Sequence, residues 1–228
     1  GTFAFVQSAA AEVYQTDVGE QKHVTLKDGT GVFLDTDTKL VVDFNDKNRK
    51  VNLRYGRANF RVAPDARRSF AVEAAQKLVI GTRSTFDVRR DGDEISVLLI
   101  HGRATVKSTA TDVDTGRLLS DGERLSFTSG QSPRLDKPNM LPLLAWHTGQ
   151  AIFENSVLTD VVLEMNRYST IKLEVDDTRI ARMKVSGVYR VGDNANFARS
   201  LSRLLPVEIR VVDDRIQLVG DDARILQG

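Results

Sequence analysis

The spacing of apolar residues changes at Trp146, and this change constrains the fold more than any other feature of the sequence. Over residues 12–129, apolar and polar residues alternate with a period of two, which is typical of strands that bury one face. After Trp146, apolar residues first recur three and four positions apart, as on one face of a helix. The 228 residues are enough for two modest cores. The sequence therefore predicts a mainly β part followed by an α+β part.

Turn-forming dipeptides separate the alternating segments of the first part. Asp28-Gly29 and Asp91-Gly92 are of the hairpin type, because glycine accepts the positive φ that such turns require. Gly56-Arg57 is interpreted similarly, as the start of a further strand. Turns recur about every ten residues, the spacing of sandwiches, barrels and solenoids. We expect an all-β lobe of many short strands, sandwich or solenoid-like.

The first helix of the second part follows a short strand at residues 151–153. Asn155 or Ser156 is a suitable N-cap, because its side-chain oxygen can accept from free amides of the first turn. The apolar stripe of this helix consists of Leu158, Val161, Val162, Met165 and Tyr168. A strand at 171–175 completes a βαβ pattern.

A second strand-and-helix pattern begins at residue 185. Its strand has a kink at Ser186-Gly187, and Asp193 or Asn194 can cap the helix that follows. The stripe of this helix consists of Phe197, Leu201, Leu204 and Leu205. Pro206 ends it, and two strands joined by an Asp-Asp turn follow. The second part is therefore predicted to be a small βαβ-βαββ lobe, in which both stripes form core.

Three prolines lie between the two parts, within residues 132–144. Because proline biases the preceding residue toward extended geometry, we expect a semi-rigid strap rather than a helix here. The predicted domains are an all-β domain at 12–131, a Pro-rich connector at 132–145 and a βαβ-repeat domain at 146–220. Trp146, the single tryptophan, is predicted to be a packed anchor at the lobe junction.

Composition excludes several classes of function. The formal net charge is +1, with 32 basic and 31 acidic residues, so a nucleic-acid surface is not expected. The chain has no cysteine, which excludes disulfides, thiol catalysis and thiolate zinc sites. No apolar run approaches the roughly 20 residues that span a bilayer. The apolar opening at residues 2–6 is too short for an intact signal peptide, and we expect the chain to be an excised part of a longer protein.

The sequence contains no complete motif for catalysis or metal binding. The three histidines are scattered, which disfavours a metal cluster. The segment from Asp35 to Lys39 begins like a calcium loop, but Lys39 occupies the third ligand position and the glycine and glutamate of such loops are missing. P-loop, dinucleotide and nucleophile-elbow motifs do not occur. We predict a non-enzymatic protein without metal or cofactor.

Taken in order, the motifs resemble the FecR family of sigma-factor regulators over most of the chain. The similar segments are Tyr14-Gln15-Thr16 to Thr30, Arg49-Lys50-Val51 to Val72, Gly81 to Arg89, Val97 to Val106, and Trp146, Gly149, Phe153, Asn155, Leu158 and Asn166-Arg167-Tyr168. The second lobe also resembles the short N-terminal βαβ-repeat domain of secretins and TonB-dependent transporters.

The resemblance implies a periplasmic sensor module of an inner-membrane protein in a Gram-negative bacterium. Its implied partner is the N-terminal signalling domain of a TonB-dependent ferric-siderophore transporter. A transmembrane helix and a cytoplasmic segment that binds an extracytoplasmic-function sigma factor, neither present here, would carry the signal onward.

Strand residues of the second lobe are the predicted contact surface for that partner, because strand pairing is a general mode of recognition. These residues are Tyr189, Arg190, Arg210 and Val212. Two alternatives stay open: a module that binds a small ligand or cell-wall glycan, and a secretin-like structural assembly domain.

Overall fold

The computed structural model describes residues 10–110 and 116–226, which form two compact units. The first comprises the described residues up to 16, 22–34 and 38–137; the second comprises 17–21, 35–37 and those from 138 onward. The apolar opening at 2–6 lies outside the described residues. The predicted class, mainly β followed by α+β, is confirmed.

The first unit is built from strands alone in its described part. They are β1 (Glu12–Gln15), β2 (Lys22–Thr25), β3 (Gly31–Leu34), β4 (Lys39–Phe44), β5 (Arg49–Arg61), β6 (Phe70–Ala74), β7 (Lys77–Gly81), β8 (Thr85–Asp91), β9 (Glu94–His101), β10 (Ala104–Ser108), β11 (Arg117–Leu119), β12 (Arg124–Phe127) and β13 (Arg134–Asp136).

Strand β5 belongs to two layers of this sheet at once. The first layer has the order β1-β4-β5-β6-β7-β10-β11, and the second has the order β2-β3-β5-β8-β9-β12-β13. Gly56 lies where β5 passes between the layers, with φ of 92°. The interpretation of Gly56-Arg57 as the start of a new strand is wrong, because this positive φ redirects the strand without ending it.

The alternation predicted from the sequence corresponds to the core between the two layers. Phe60 packs against Phe70 and Phe86, with ring centroids 5.8 Å and 5.6 Å apart. These rings are fully buried, as are Leu34 and Leu99. Burial of one face of each strand is therefore the main source of stability in this unit.

A charged residue, Arg49, is also completely buried in the first unit. Its Nη1 donates to Asp28 Oδ2 and to the carbonyl oxygen of Ala63, both at 2.8 Å. Its Nε and Nη2 donate to the carbonyl oxygen of Arg68 at 3.2 and 2.8 Å. The Asp28 side chain is buried as well. The guanidinium therefore ties the turn at Asp28 and the loop before β6 to the start of β5.

Asp65 organises that loop from its partly exposed side. Its Oδ1 accepts from the amides of Arg67 and Arg68 at 2.8 and 3.1 Å, and its Oδ2 accepts from Arg68 Nε at 3.0 Å. The Arg67 amide is the largest cause that lowers the pKa of Asp65 to about 2, and the Arg68 side chain adds to it.

Asp65→Asn is expected to remove part of the acid sensitivity of the first unit. A free aspartate has a pKa of about 3.9, and in the fold the pKa of Asp65 is about 2. The stability that ionised Asp65 contributes is therefore complete well above pH 4 and is lost as the pH falls toward 2. Melting temperatures of the two proteins should differ at neutral pH and converge near about pH 2. An equal difference at both ends of this range would contradict the assignment.

The second unit contains short helices and five strands within its described residues. They are α1 (Met140–Leu144), a 3-10 turn (Ala145–Thr148), β14 (Gln150–Val157), α2 (Leu158–Asn166), β15 (Lys172–Glu174), α3 (Thr178–Ala181), β16 (Lys184–Arg190), α4 (Asn194–Leu204), β17 (Val207–Val212), β18 (Arg215–Gly220) and α5 (Asp222–Ile225).

The strands of the two predicted repeats are exchanged between two sheets. β14 pairs with β16, and β15 pairs in parallel with β18, which also pairs with β17. Each sheet therefore contains one strand or more from each repeat. Leu158, Met165 and Phe197 of the two longer helices are buried with residues of both sheets in one core.

Three local expectations for the second part are wrong. β14 continues through a bulge to Val157, so Val157 precedes helix α2 and neither Asn155 nor Ser156 caps it. Asn155 instead has φ of 52° and donates its amide to Ser186 Oγ at 2.9 Å. Leu204 is 67% exposed, since the last turn of α4 leaves the core. The Pro-rich segment contains β13 and α1, because Pro142 is tolerated in the first turn of a helix capped by Asn139.

Candidate partner interface

Arg210 and Val212 lie on β17, which among the described strands is an edge strand that pairs on one side only, with β18. No strand of residues 10–110 or 116–226 pairs with its other side, which is the arrangement that strand addition requires. Val212 is 45% exposed, and its neighbour Val211 is 74% exposed. Arg210 is exposed and lies 3.9 Å from Glu208. The edge thus combines apolar side chains with charges of both signs.

Tyr189 and Arg190 lie on β16, in the other sheet. The Tyr189 ring is half-buried and packs edge-on against Phe197, with centroids 4.8 Å apart. Its hydroxyl donates to the carbonyl oxygen of Ser186 at 3.3 Å, and burial raises the pKa of Tyr189. A Cβ on Gly187, whose φ is 142°, would lie 3.0 Å from this ring. Tyr189 therefore supports the core, whereas Arg190 is exposed at the strand end.

The structure places the four predicted contact residues as two pairs on two sheets. Arg210 and Val212 share β17, and Tyr189 and Arg190 share β16, but the two strands are not hydrogen-bonded neighbours. Val211, which also lies on β17, is not among the four predicted contact residues. The sequence feature that could have identified Val211 is the pair Val211-Val212. Adjacent residues on a strand face opposite sides, so two adjacent apolar residues place an apolar side chain on both faces.

A buried carboxylate, Asp35, lies in the second unit beside Arg167 and Tyr168. These two residues belong to one of the segments that resemble the FecR family. Tyr168 donates its hydroxyl to Asp35 Oδ2 at 2.9 Å, and Gln21 donates Nε2 to Asp35 Oδ1 at 2.8 Å. Arg167 Nη1 lies 3.9 Å from the same carboxylate. These groups satisfy the Asp35 carboxylate with hydrogen bonds inside the fold.

Trp146 lies in the 3-10 turn of the second unit and is 2% exposed. Its carbonyl oxygen accepts from Gln21 Nε2 at 3.0 Å, so the amide of Gln21 serves both Asp35 and Trp146. Its indole meets the His147 ring edge-on, with centroids 4.3 Å apart. Trp146 is therefore a packed residue, and its role at a lobe junction stays a prediction.

Tyr168→Phe is expected to lower the free energy of unfolding of the second unit by about 1.5–3 kcal/mol, because it removes a hydrogen bond to a buried charged group. Urea unfolding followed by circular dichroism measures this loss. Tyr189→Phe is the matched control, since its hydroxyl bond at 3.3 Å is exposed; we expect it to cost less than about 1 kcal/mol. Equal losses for the two variants would contradict the role of Asp35.

Neither metal binding nor membrane crossing has a structural feature in the part of the chain that is described. Across 10–110 and 116–226, His, Asp and Glu side chains form no group of three or more that could hold a metal ion. Over the same ranges, none of the helices has the length and apolar character needed to span a bilayer.

Comparisons with known proteins agree with the architecture. Residues 12–105 match the family model described as FecR protein. Two crystal structures of a candidate anti-sigma factor from Parabacteroides distasonis ATCC 8503 superpose with a TM-score of 0.76 at 20% identity. The alignments cover 92% of this chain and 99% of that chain in one case, and 91% and 98% in the other. No curated protein sequence matches the chain significantly. The resemblance to the FecR family found in the sequence is thus confirmed over residues 12–105, the part of the chain that the family model matches.

Proposed function

We propose that this chain is the sensing part of a sigma-factor regulator and works by protein–protein contact in the periplasm of a Gram-negative bacterium. The FecR-family match over residues 12–105 carries this proposal. The likeness in fold to a candidate anti-sigma factor supports it further. In this proposal an inner-membrane segment outside the chain transmits the signal to an extracytoplasmic-function sigma factor.

The input partner in this proposal is the N-terminal signalling domain of a TonB-dependent ferric-siderophore transporter. Edge strand β17 supports a contact by strand addition, because it offers an unpaired backbone edge together with exposed Val211 and Val212. Arg210 adds a charge that can orient the partner. The Tyr189 ring packs against Phe197, so only part of its surface is available to a partner. Of the predicted residues, Arg210 and Val212 therefore form the favoured surface.

Calorimetry of the chain with that transporter domain tests the proposal. The double variant Arg210→Glu/Val212→Lys is expected to weaken binding at least about tenfold, which corresponds to about 1.4 kcal/mol. Arg190→Glu tests the other sheet separately and should change the affinity less than about threefold if β17 is the contact. A larger effect from Arg190→Glu would move the interface to β16.

Leu163→Lys is the matched control, because Leu163 is exposed on α2 and the substitution also introduces a lysine into the second unit. It should bind as the unchanged chain does. Absence of binding up to millimolar concentrations of the transporter domain would refute the contact. A reporter driven by the sigma factor should lose its response to siderophore in the same double variant.

A further inference from the structure

The two layers of the first unit are joined by β5, and no other described strand joins them at their far ends. The first layer ends at β11 and the second at β13. A cleft of about 330 Å³ lies between these ends. Its walls are the inner faces of β10 and β11 on one side and of β12 and β13 on the other. In its described part the sandwich is thus open at this end, and the partly buried Phe127 and Leu135 reach solvent there.

The walls of the cleft are mixed, with an apolar part beside the polar residues Lys77, Lys107, Ser108 and Arg117. Val106 contributes from the first layer, and Leu125, Phe127, Pro133 and Leu135 contribute from the second side. Phe127 and Leu135 are only partly buried, so their apolar surface is available to a ligand. A neighbouring depression of about 470 Å³ shares Phe127 and Pro133 with the cleft and extends it. The volume of the cleft lies at the lower end of the range of sites for small organic molecules, about 300–1,000 Å³.

Cations border this apolar space. Lys77 and Arg117 point to the inner face, because Lys77 pairs with Ser108 and Arg117 pairs with Val106 in the sheet register. Lys77 Nζ lies 4.4 Å from the centroid of the Phe127 ring, so it bridges the two layers across the cleft. Neither cation has a carboxylate partner within the described residues. Two positive charges beside an apolar slot would favour a ligand with a negative head.

From this arrangement we infer a binding site for a small amphipathic organic anion, with its apolar part between Val106 and Phe127 and its acidic head between Lys77 and Arg117. Lys77 would exchange its contact with the Phe127 ring for the ligand's head group, because an ion pair with a partly desolvated anion is stronger than a partly exposed cation–π contact. This site is separate from β17 and does not depend on the proposed signalling contact.

Decanoate is a suitable probe, since it joins a flexible apolar tail to one carboxylate. Calorimetry below its aggregation concentration should show binding to the chain, and a thermal shift should follow from linkage. Decanol and decyltrimethylammonium have the same tail with a neutral or a positive head. Each is expected to bind at least about tenfold more weakly. Equal binding of all three compounds would overturn the inference, as would no binding of decanoate.

Charge variants test the location of the site. The double variant Lys77→Glu/Arg117→Glu is expected to weaken decanoate binding at least about tenfold. Lys22→Glu is the matched control, because Lys22 is exposed on β2, at the opposite edge of the second layer. It should leave decanoate binding unchanged. If the double variant has a lower melting temperature, its weaker binding could come from lost stability. The single variant Arg117→Glu then tests the site, since Arg117 is exposed and makes no ion pair in the described part of the chain. Unchanged binding in Arg117→Glu would overturn the assignment.

Discussion

Arg49→Met is expected to lower the free energy of unfolding of the first unit by about 3–5 kcal/mol, the cost of leaving one partner of a buried ion pair alone. The substitution keeps an unbranched apolar stem, although a shorter one, and removes every donor of the guanidinium. Asp28 then stays buried without its cation, and the carbonyl oxygens of Ala63 and Arg68 lose their donors. Urea unfolding at neutral pH measures the difference.

Lys50→Met is the matched control for this experiment. Lys50 is the next residue on β5 and forms an ion pair with Glu73, but its side chain is 45% exposed. Surface pairs contribute about 0–1 kcal/mol, so we expect a loss in that range. A loss for Arg49→Met no larger than for Lys50→Met would show that the buried cluster does not stabilise the fold.

A second variant separates the pair from its surroundings. Asp28→Asn alone should also destabilise the first unit, because Asp28 accepts from Arg49 and from the amide and hydroxyl of Thr30. The double variant Arg49→Met/Asp28→Asn removes both the guanidinium and the carboxylate, so it leaves no unpaired buried charge. We therefore expect the double variant to lose at least about 1 kcal/mol less than the sum of the two single losses. Strict additivity would mean that the two side chains act independently.

The position of Arg49 shows which part of the fold could be predicted from the sequence and which part could not. The alternation identified the inward residues of most strands, because burial of apolar side chains determines which face of a strand points inward. Arg49 is in phase with inward Val51 and Leu53, and this phase was the available signal that it is buried. A charged residue is usually exposed, however, and its partners Asp28 and Arg68 are adjacent only after the strands pair.

Strand pairing itself could not be predicted from local pattern. The parallel pair β5–β6, the passage of β5 between layers and the exchange of strands between the second unit's sheets all depend on contacts distant in sequence. The same reason applies to the candidate interface. The sequence placed Arg210 and Val212 on a strand, but only the fold shows that β17 is an edge. It also shows that Tyr189 packs on Phe197, which strand alternation did not reveal.

The Asp35 cluster required information of the same kind. Asp35 and Tyr168 are 133 positions apart, and neither local sequence indicates that a carboxylate and a phenol meet. The stripe that ends at Tyr168 did predict burial of its ring, because the residue continues the helical spacing of Leu158, Val161 and Met165. Hydrophobic spacing therefore predicted where Tyr168 lies, but not the bond that its hydroxyl makes.

Trp146→Ala is expected to lower the free energy of unfolding of the second unit by about 3–5 kcal/mol, because it removes a buried indole and leaves a cavity. The hydrogen bond from Gln21 goes to the carbonyl oxygen of Trp146, so the substitution leaves that donor and acceptor in place. The loss should therefore report side-chain packing. Trp146→Phe retains part of the ring contact and should cost about 1–3 kcal/mol.

Leu163→Ala is the control, since Leu163 is exposed and alanine favours the helix; we expect a change within about 0.5 kcal/mol. Limited proteolysis tests the lobe-junction role of Trp146 separately. If the indole anchors the chain there, Trp146→Ala should speed cleavage within residues 132–145 under conditions in which both units remain folded, because cleavage follows local opening. An unchanged urea midpoint would contradict the packing of Trp146, whereas a lower midpoint with an unchanged cleavage pattern would restrict its role to the core of the second unit.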